Sequence, residues 1–124
     1  DGDEFKDAAA IEANVDASPG NDDMAGRLVF YTAPDGSTGL QERLRIDNQG
    51  RVLPGADAAQ DLGSTSKRWD NLYVNDMHFS NEGSDGNDVD GTTGNWTLQE
   101  GEEHLYIINN KSGKKFKFSL EEVQ

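Results

Sequence analysis

Between residues 26 and 54 the chain reads GRLVFYTAPDGSTGLQERLRIDNQGRVLP. Leu28 and Phe30 alternate with Val29 and Tyr31, and Leu44 and Ile46 alternate with Arg43, Arg45 and Asp47. Successive residues of a strand point to opposite faces, so period-two alternation marks half-buried strands. The alternation breaks at Pro34-Asp35-Gly36 and again at Asn48-Gln49-Gly50. There Pro fixes φ, while Gly and Asn admit φ > 0, which is turn chemistry. Strands are therefore expected over 27–32, 42–47 and 51–53.

Working outward, residues 8–16 (AAAIEANVD) carry two signals. Three alanines favour a helix by propensity, whereas Ile11, Ala13 and Val15 on one face favour a strand; the strand is taken. SPGNDD at 18–23 is a turn, and 54–60 is a connection of small residues. Ser64-Thr65-Ser66 is expected to cap one helical turn over 67–70, followed by a strand at 71–79. Residues 82–94 hold Gly, Asp, Asn, Ser and Thr with almost no apolar side chain, so they form a loop or hinge. Beyond it, strands are expected at 96–99, 105–109 and 115–120. The last two are joined by Asn110-Lys111-Ser112-Gly113, the clearest hairpin signal in the chain.

The composition narrows the class. The chain has 124 residues, of which only 33% are hydrophobic. Fourteen are glycine, and mean hydropathy is −0.82. That lies between a thinly cored globule and a disordered chain. Regular alternation favours order, and an obligate oligomer reconciles the two, because each copy buries its few apolar residues against neighbours. The net charge of −13 repels polyanionic nucleic acid and anionic membrane surfaces, so neither is an expected partner. Residues 111–124 carry +2 and the remainder −15, a contrast read mainly as a solvated hairpin face. Cysteine is absent, which excludes disulfides and thiol chemistry. No apolar run reaches membrane-spanning length and no signal-peptide pattern is present. Opening at Asp1, the chain is expected to be a processed product or the end of a longer polypeptide.

Candidate sites are few. Residues 85–91 (DGNDVDG) invite a calcium reading, with Asp85, Asp88 and Asp90 as weak candidate ligands. In an EF-hand register, however, the fifth position is Val89 and the sixth is Asp90 in place of Gly. His78 and His104 sit in alternating contexts without another His or Cys at ligand spacing, and are read as surface or interface residues. Glu102-Glu103 and Glu121-Glu122 are adjacent, and in a strand they would point to opposite faces, the wrong geometry for glycoside hydrolysis within one chain. There is no G-x-S-x-G elbow and no phosphate loop. No catalytic residue, no resident metal and no cofactor is therefore expected. Trp69, Tyr73, Phe79, Trp96, Tyr106, Phe116 and Phe118 are read as packing anchors of a thin core. Trp96, bordering the polar loop, is kept as a possible ligand contact.

Three stretches also resemble a known group. GRLVFYT…ERLRIDNQGRV, the DLGS…KRWDNLYV step at 61–74, and GNWTLQEGEEHLYIINNKSGKKFKF at the carboxyl end are similar to shaft modules and terminal domains of bacteriophage tail fibres and related virion appendages. Residues 1–7 and 82–94 match least. The resemblance implies a mainly β fold: an intertwined trimeric β fibre, like a β-prism or triple-stranded β-helix, with a small C-terminal β domain. It implies a fibre shaft over 1–81, a loop or hinge at 82–94 and a tip or knob at 95–124. It also implies location on the virion, a parallel homotrimer, contacts with other virion proteins, and a host cell-surface glycan or protein as target. A head fibre, decoration or connector protein without receptor role would use the same modules. A polysaccharide-degrading tailspike and a free carbohydrate-binding module are further readings.

Overall fold

Eight strands and no helix are found among the described residues. The structure, a computed structural model, describes residues 6–124, so the reading of residues 1–5 as a continuation from upstream lies outside the described residues. The strands are β1 (Ala9–Val15), β2 (Gly26–Thr32), β3 (Gln41–Ile46), β4 (Val52–Pro54), β5 (Met77–Ser80), β6 (Asn95–Glu100), β7 (Leu105–Asn109) and β8 (Lys115–Lys117). They form two antiparallel sheets, ordered β1-β2-β3-β4 and β5-β6-β7-β8. The chain divides into two units, Asp1–Arg68 and Trp69–Gln124, with one sheet in each.

In the first sheet, alternation and register agree. Ile11 pairs with Phe30, Phe30 with Leu44, and Leu28 with Ile46, which in turn pairs with Val52. These residues share one face of the sheet, and that face is open to solvent: Ile11 is 67% exposed and Val52 63%. The other face carries Val29, flanked across the ladder by Glu12 and Arg45. Val29 is the single buried hydrophobic residue among those described, at 0% exposure. Burial of this kind is worth about 1.5–3 kcal/mol, far too little to hold a domain alone.

Register shifts between Phe30 and Tyr31, whose partners are Leu44 and Glu42, so Arg43 is an extra residue on β3. This bulge reverses the alternation. Glu42 and Arg45, which an unbroken strand would place on opposite faces, meet in a two-pronged ion pair with Nε–Oε1 2.5 Å and Nη2–Oε2 2.6 Å. Hydrogen bonding from Arg45 holds the Glu42 carboxyl below its ordinary pKa.

The turns follow local chemistry. Between β3 and β4, Asp47 Oδ1 accepts the amides of Gln49 and Arg51, both at 3.0 Å, and its Oδ2 accepts Arg51 Nε at 2.7 Å. Gly50 takes the left-handed conformation, φ 77°, that a three-residue hairpin loop demands. Asp16 reaches the same end of the sheet, accepting from Arg27 Nη1 at 2.9 Å and from the Asn48 amide at 3.1 Å. Both carboxyls are held below their ordinary pKa, Asp16 chiefly by Arg27 and Asp47 chiefly by Arg51. After β4, a Cβ on Gly55 would lie 2.1 Å from the Glu42 carbonyl oxygen, so the chain can pass there only as glycine.

Several expectations are corrected. No helical turn follows Ser64: its hydroxyl accepts the Lys67 amide at 3.1 Å, and the Ser64 amide bonds the Lys67 carbonyl at 2.9 Å. That closes a turn which the chain then leaves. The strand expected over 71–79 is only Met77–Ser80, because Leu72 and Val74 alternate without a neighbouring strand to pair with. The strand expected over 115–120 ends at Lys117. Residues 82–94 are a loop, but one that joins β5 to β6 inside a single sheet, and the two units part at Arg68 instead. The aromatic residues do not form a core within the chain: Trp69 is 68% and Tyr73 91% exposed.

Candidate functional site

The second sheet separates its faces sharply. Met77, Leu98, Ile107 and Phe116 form one cross-strand row, and Phe79, Trp96 and Asn109 the next. All lie on one face, where the Trp96 and Phe116 rings approach to 5.9 Å at 41°. Phe79, Trp96, Ile107, Phe116 and Phe118 line a shallow, wholly apolar depression on it.

The opposite face is held by neutral polar groups. Thr97, 5% exposed, pairs through Oγ1 with His78 Nδ1 at 2.9 Å and accepts Asn110 Nδ2 at 2.9 Å. Asn110 Nδ2 also reaches Asn95 Oδ1 at 2.8 Å, and Gln99 donates to Asp76 at 2.9 Å. The network closes when Thr97 donates to Nδ1 and the His78 proton sits on Nε2.

At the end of the apolar rows, the loop 82–94 folds back on the strands that carry it. Asn81 Oδ1 accepts the Gly94 amide at 2.6 Å, and its Nδ2 donates to the Thr92 carbonyl at 3.3 Å. Within the loop, Asn87 Oδ1 accepts the amides of Val89 and Asp90, at 2.8 and 3.1 Å. Asn87 Nδ2 donates to Asp90 Oδ1 at 2.7 Å. That same Asp90 oxygen accepts the Thr92 amide and hydroxyl, at 3.0 and 2.8 Å. These bonds, the Thr92 hydroxyl foremost, hold the Asp90 carboxyl below its ordinary pKa. Gly86 makes the fold possible: a Cβ there would meet the Gly91 carbonyl oxygen at 2.2 Å. Lys111, from the β7–β8 turn, anchors the loop through the Thr93 carbonyl at 3.2 Å and Glu82 at 3.4 Å. Glu82 also accepts from Asn95, and that bond, then Lys111, lowers its pKa.

Between loop and sheet lies a cleft of about 750 Å³, lined by Phe79, Trp96 and Asn109 from the strands and by Asn87, Asp90 and Thr93 from the loop. Its size is that of a small-molecule site. Trp96, the one aromatic kept as a ligand contact on sequence, stands in its wall. Of the three acidic ligand candidates, Asp90 lines the cleft, while Asp85 and Asp88 are exposed and do not. Among the described residues no three His, Asp or Glu side chains gather as a metal would require. His78 lies in β5 and borders the same cleft, its ring turned to Thr97 on the opposite face; His104 precedes β7 and meets Tyr106 edge-on at 6.2 Å. Glu102 and Glu103 lie in the bend before β7, and Glu121 and Glu122 beyond β8.

Asn109 is the site residue that sequence reasoning missed. Its position opposite Trp96 depends on the β6–β7 register, although the strong hairpin signal that places the turn was the clue to it. Compared with known proteins, the chain matches no family model, no curated protein and no solved structure.

Proposed function

We propose that this chain is a structural and adhesive virion appendage, a phage tail fibre or spike, acting as a parallel homotrimer that presents a host-binding surface. The observation that carries the reading is the pair of uncovered apolar sheet faces. Ile11, Phe30, Leu44 and Val52 share one, and Phe79, Trp96, Ile107, Phe116 and Phe118 share the other, while Val29 alone is buried among the described hydrophobic residues. Exposed apolar patches of this extent mark association surfaces. The segment 61–74 adds Leu62, Trp69, Leu72 and Tyr73, all exposed and none in a strand. Identical partners would cover the first face and the Ile107, Phe116 and Phe118 part of the second, leaving Phe79 and Trp96 open beside the loop, and would pair that segment. The resemblance of 26–54 and 61–74 to fibre modules supplies the trimeric form. Several copies at one tip would convert weak contacts into avidity.

In this reading the chain performs no catalysis. Light scattering after chromatography should give about three times the 13.5 kDa chain mass, oligomerisation being the route to burial. A stable, well-folded monomer at micromolar concentration overturns the reading. Reducing-end release from host polysaccharide would replace it with a tailspike.

A further inference from the structure

The cleft beside Trp96 holds unused polar chemistry next to an aromatic wall. Three groups lining it have no hydrogen-bond partner among the described residues. The Trp96 indole N–H lies beside Gly94, whose missing side chain leaves room for it: a Cβ there would stand 3.0 Å from Nε1. Asn109 uses only Oδ1, which accepts the amides of Lys111 and Ser112 at 3.0 Å, so its Nδ2 donors are free. Asp90 gathers its three bonds on Oδ1 and leaves Oδ2 free. Phe79 and Trp96 are cross-strand neighbours, about 4.5–5.5 Å apart at Cβ, and present ring surface at the same place.

We infer that this cleft is a saccharide-binding site, in which Trp96 and Phe79 stack against the apolar face of a neutral sugar while Asn109, Asp90 and the Trp96 N–H engage its hydroxyls. A sugar hydroxyl both donates and accepts, which suits a cleft that offers one free acceptor and two free donors. The ring faces favour a ligand with C–H groups on one side, and a purely polar ion would leave them uncovered. The net charge of −13 disfavours an anionic ligand, and Lys111 is already engaged with Glu82 and Thr93. The loop is built to hold its shape without a ligand, since Asn87 and Asp90 Oδ1 are satisfied internally, so binding requires little ordering.

This inference deepens the appendage reading by naming a ligand class, and it rests on that reading for its biological sense. The test is a titration of the intact protein with maltose, lactose and N,N′-diacetylchitobiose, followed by ¹H–¹⁵N correlation spectra. Two tryptophans give two indole signals. At least one sugar should shift the Trp96 indole and the Asn109 side-chain amide, with Kd near ~1 mM, and leave Trp69 unmoved. Asn109→Asp keeps the oxygen that accepts the Lys111 and Ser112 amides but removes the donors, and should weaken binding about tenfold. Asp90→Asn should weaken it as well. The inference is overturned if no sugar moves the Trp96 indole, or if both variants bind as the parent does. Mass by light scattering on the same sample separates the two claims. A trimer that binds no sugar leaves the appendage standing, and a monomer that binds one leaves the cleft standing without it.

Discussion

The two sheets share a plan and differ in how the polar face is held. Each has four antiparallel strands and one uncovered apolar face. In the first sheet the other face and its end are fixed by ion pairs: Asp16–Arg27, Glu42–Arg45 and Asp47–Arg51. In the second, a neutral network of Thr97, His78, Asn110 and Asn95 takes that place. A chain with so little apolar material can define a sheet by either route. In the first the polar face itself depends on ionised carboxylates, whereas in the second unit the lowered carboxyls, Glu82 and Asp90, fasten the loop beside the sheet.

The largest expected effect tests what the sheets have in common. Phe118, 40% exposed, follows β8 on the apolar face. If that face is covered by sister chains, Phe118→Ala costs ~3–5 kcal/mol per chain and shifts sedimentation away from the trimer. An unchanged trimer with unchanged melting would make the face a binding surface and not an assembly core.

Gly55→Ala should follow, at about 3 kcal/mol, the top of the ordinary range for one substitution. The clash is with backbone, and yielding would break the 2.9 Å bond from the Gly55 amide to the Arg43 carbonyl. Hydrogen exchange should show protection lost at the Val29 amide more than at Thr97. Equal loss at both would mean that the sheets unfold as one.

Thr97→Val tests the neutral network. It removes the hydroxyl that bonds Asn110 and His78, and because both are exposed and can turn to water the cost is that of the lost hydrogen bonds, ~0.5–1.5 kcal/mol. Here exchange should accelerate in β6 and β7 more than in β2.

Acid should separate the sheets more gently. Asp16, Glu42 and Asp47 all have folded pKa values below their ordinary ones. Their contribution is complete above the ordinary carboxylate range and is lost as pH falls below about 4, through the lowered folded values. These groups lie near solvent, so screening keeps the effect modest. Protonation also relieves the −13 charge over the whole chain and loosens the loop that Glu82 and Asp90 fasten, so the comparison is read at Val29 and Thr97, within the strands. Exchange at Val29 should rise before exchange at Thr97, and the reverse order would refute the contrast. Smallest of all, Lys114→Ala should change stability by less than ~0.5 kcal/mol, because its side chain is exposed and only its backbone joins the turn.

Much of the fold was legible because its signals are local. The alternation at 26–54 and the Asn-Lys-Ser-Gly turn each specify geometry within a few residues, and β1–β4 and the β7–β8 hairpin follow. The choice of strand over helix for 8–16 was right because Ile11 and Ala13 find Phe30 and Leu28 across the ladder, outweighing alanine propensity. What failed depended on partners. Leu72 and Val74 have the pattern of a strand and no neighbour, and the aromatics have the look of a core and nothing over them. The cleft was half visible. Trp96 stood out beside the polar loop, but Asn109 joins it only through register, and Asp90 only through the bonds that turn the loop back on itself.

The bulge at Arg43 has a consequence for inheritance. Because the extra residue resets the phase of β3, the strand is written in two reading frames, one ending at Glu42 and the other beginning at Leu44. Deleting Arg43 would remove the bulge and leave Glu42 opposite Tyr31, on the side of Val29 and Arg45, whereas an unbroken ladder that kept Arg43 would carry Glu42 to the side of Phe30 and Ile11. A residue added in the 33–40 loop would do neither. Length in that loop and phase in the strand are thus separate variables. A lineage can change the first freely, and can lose Arg43 itself, but a ladder that absorbs Arg43 without a bulge exchanges the charged face for the apolar one from Glu42 outward.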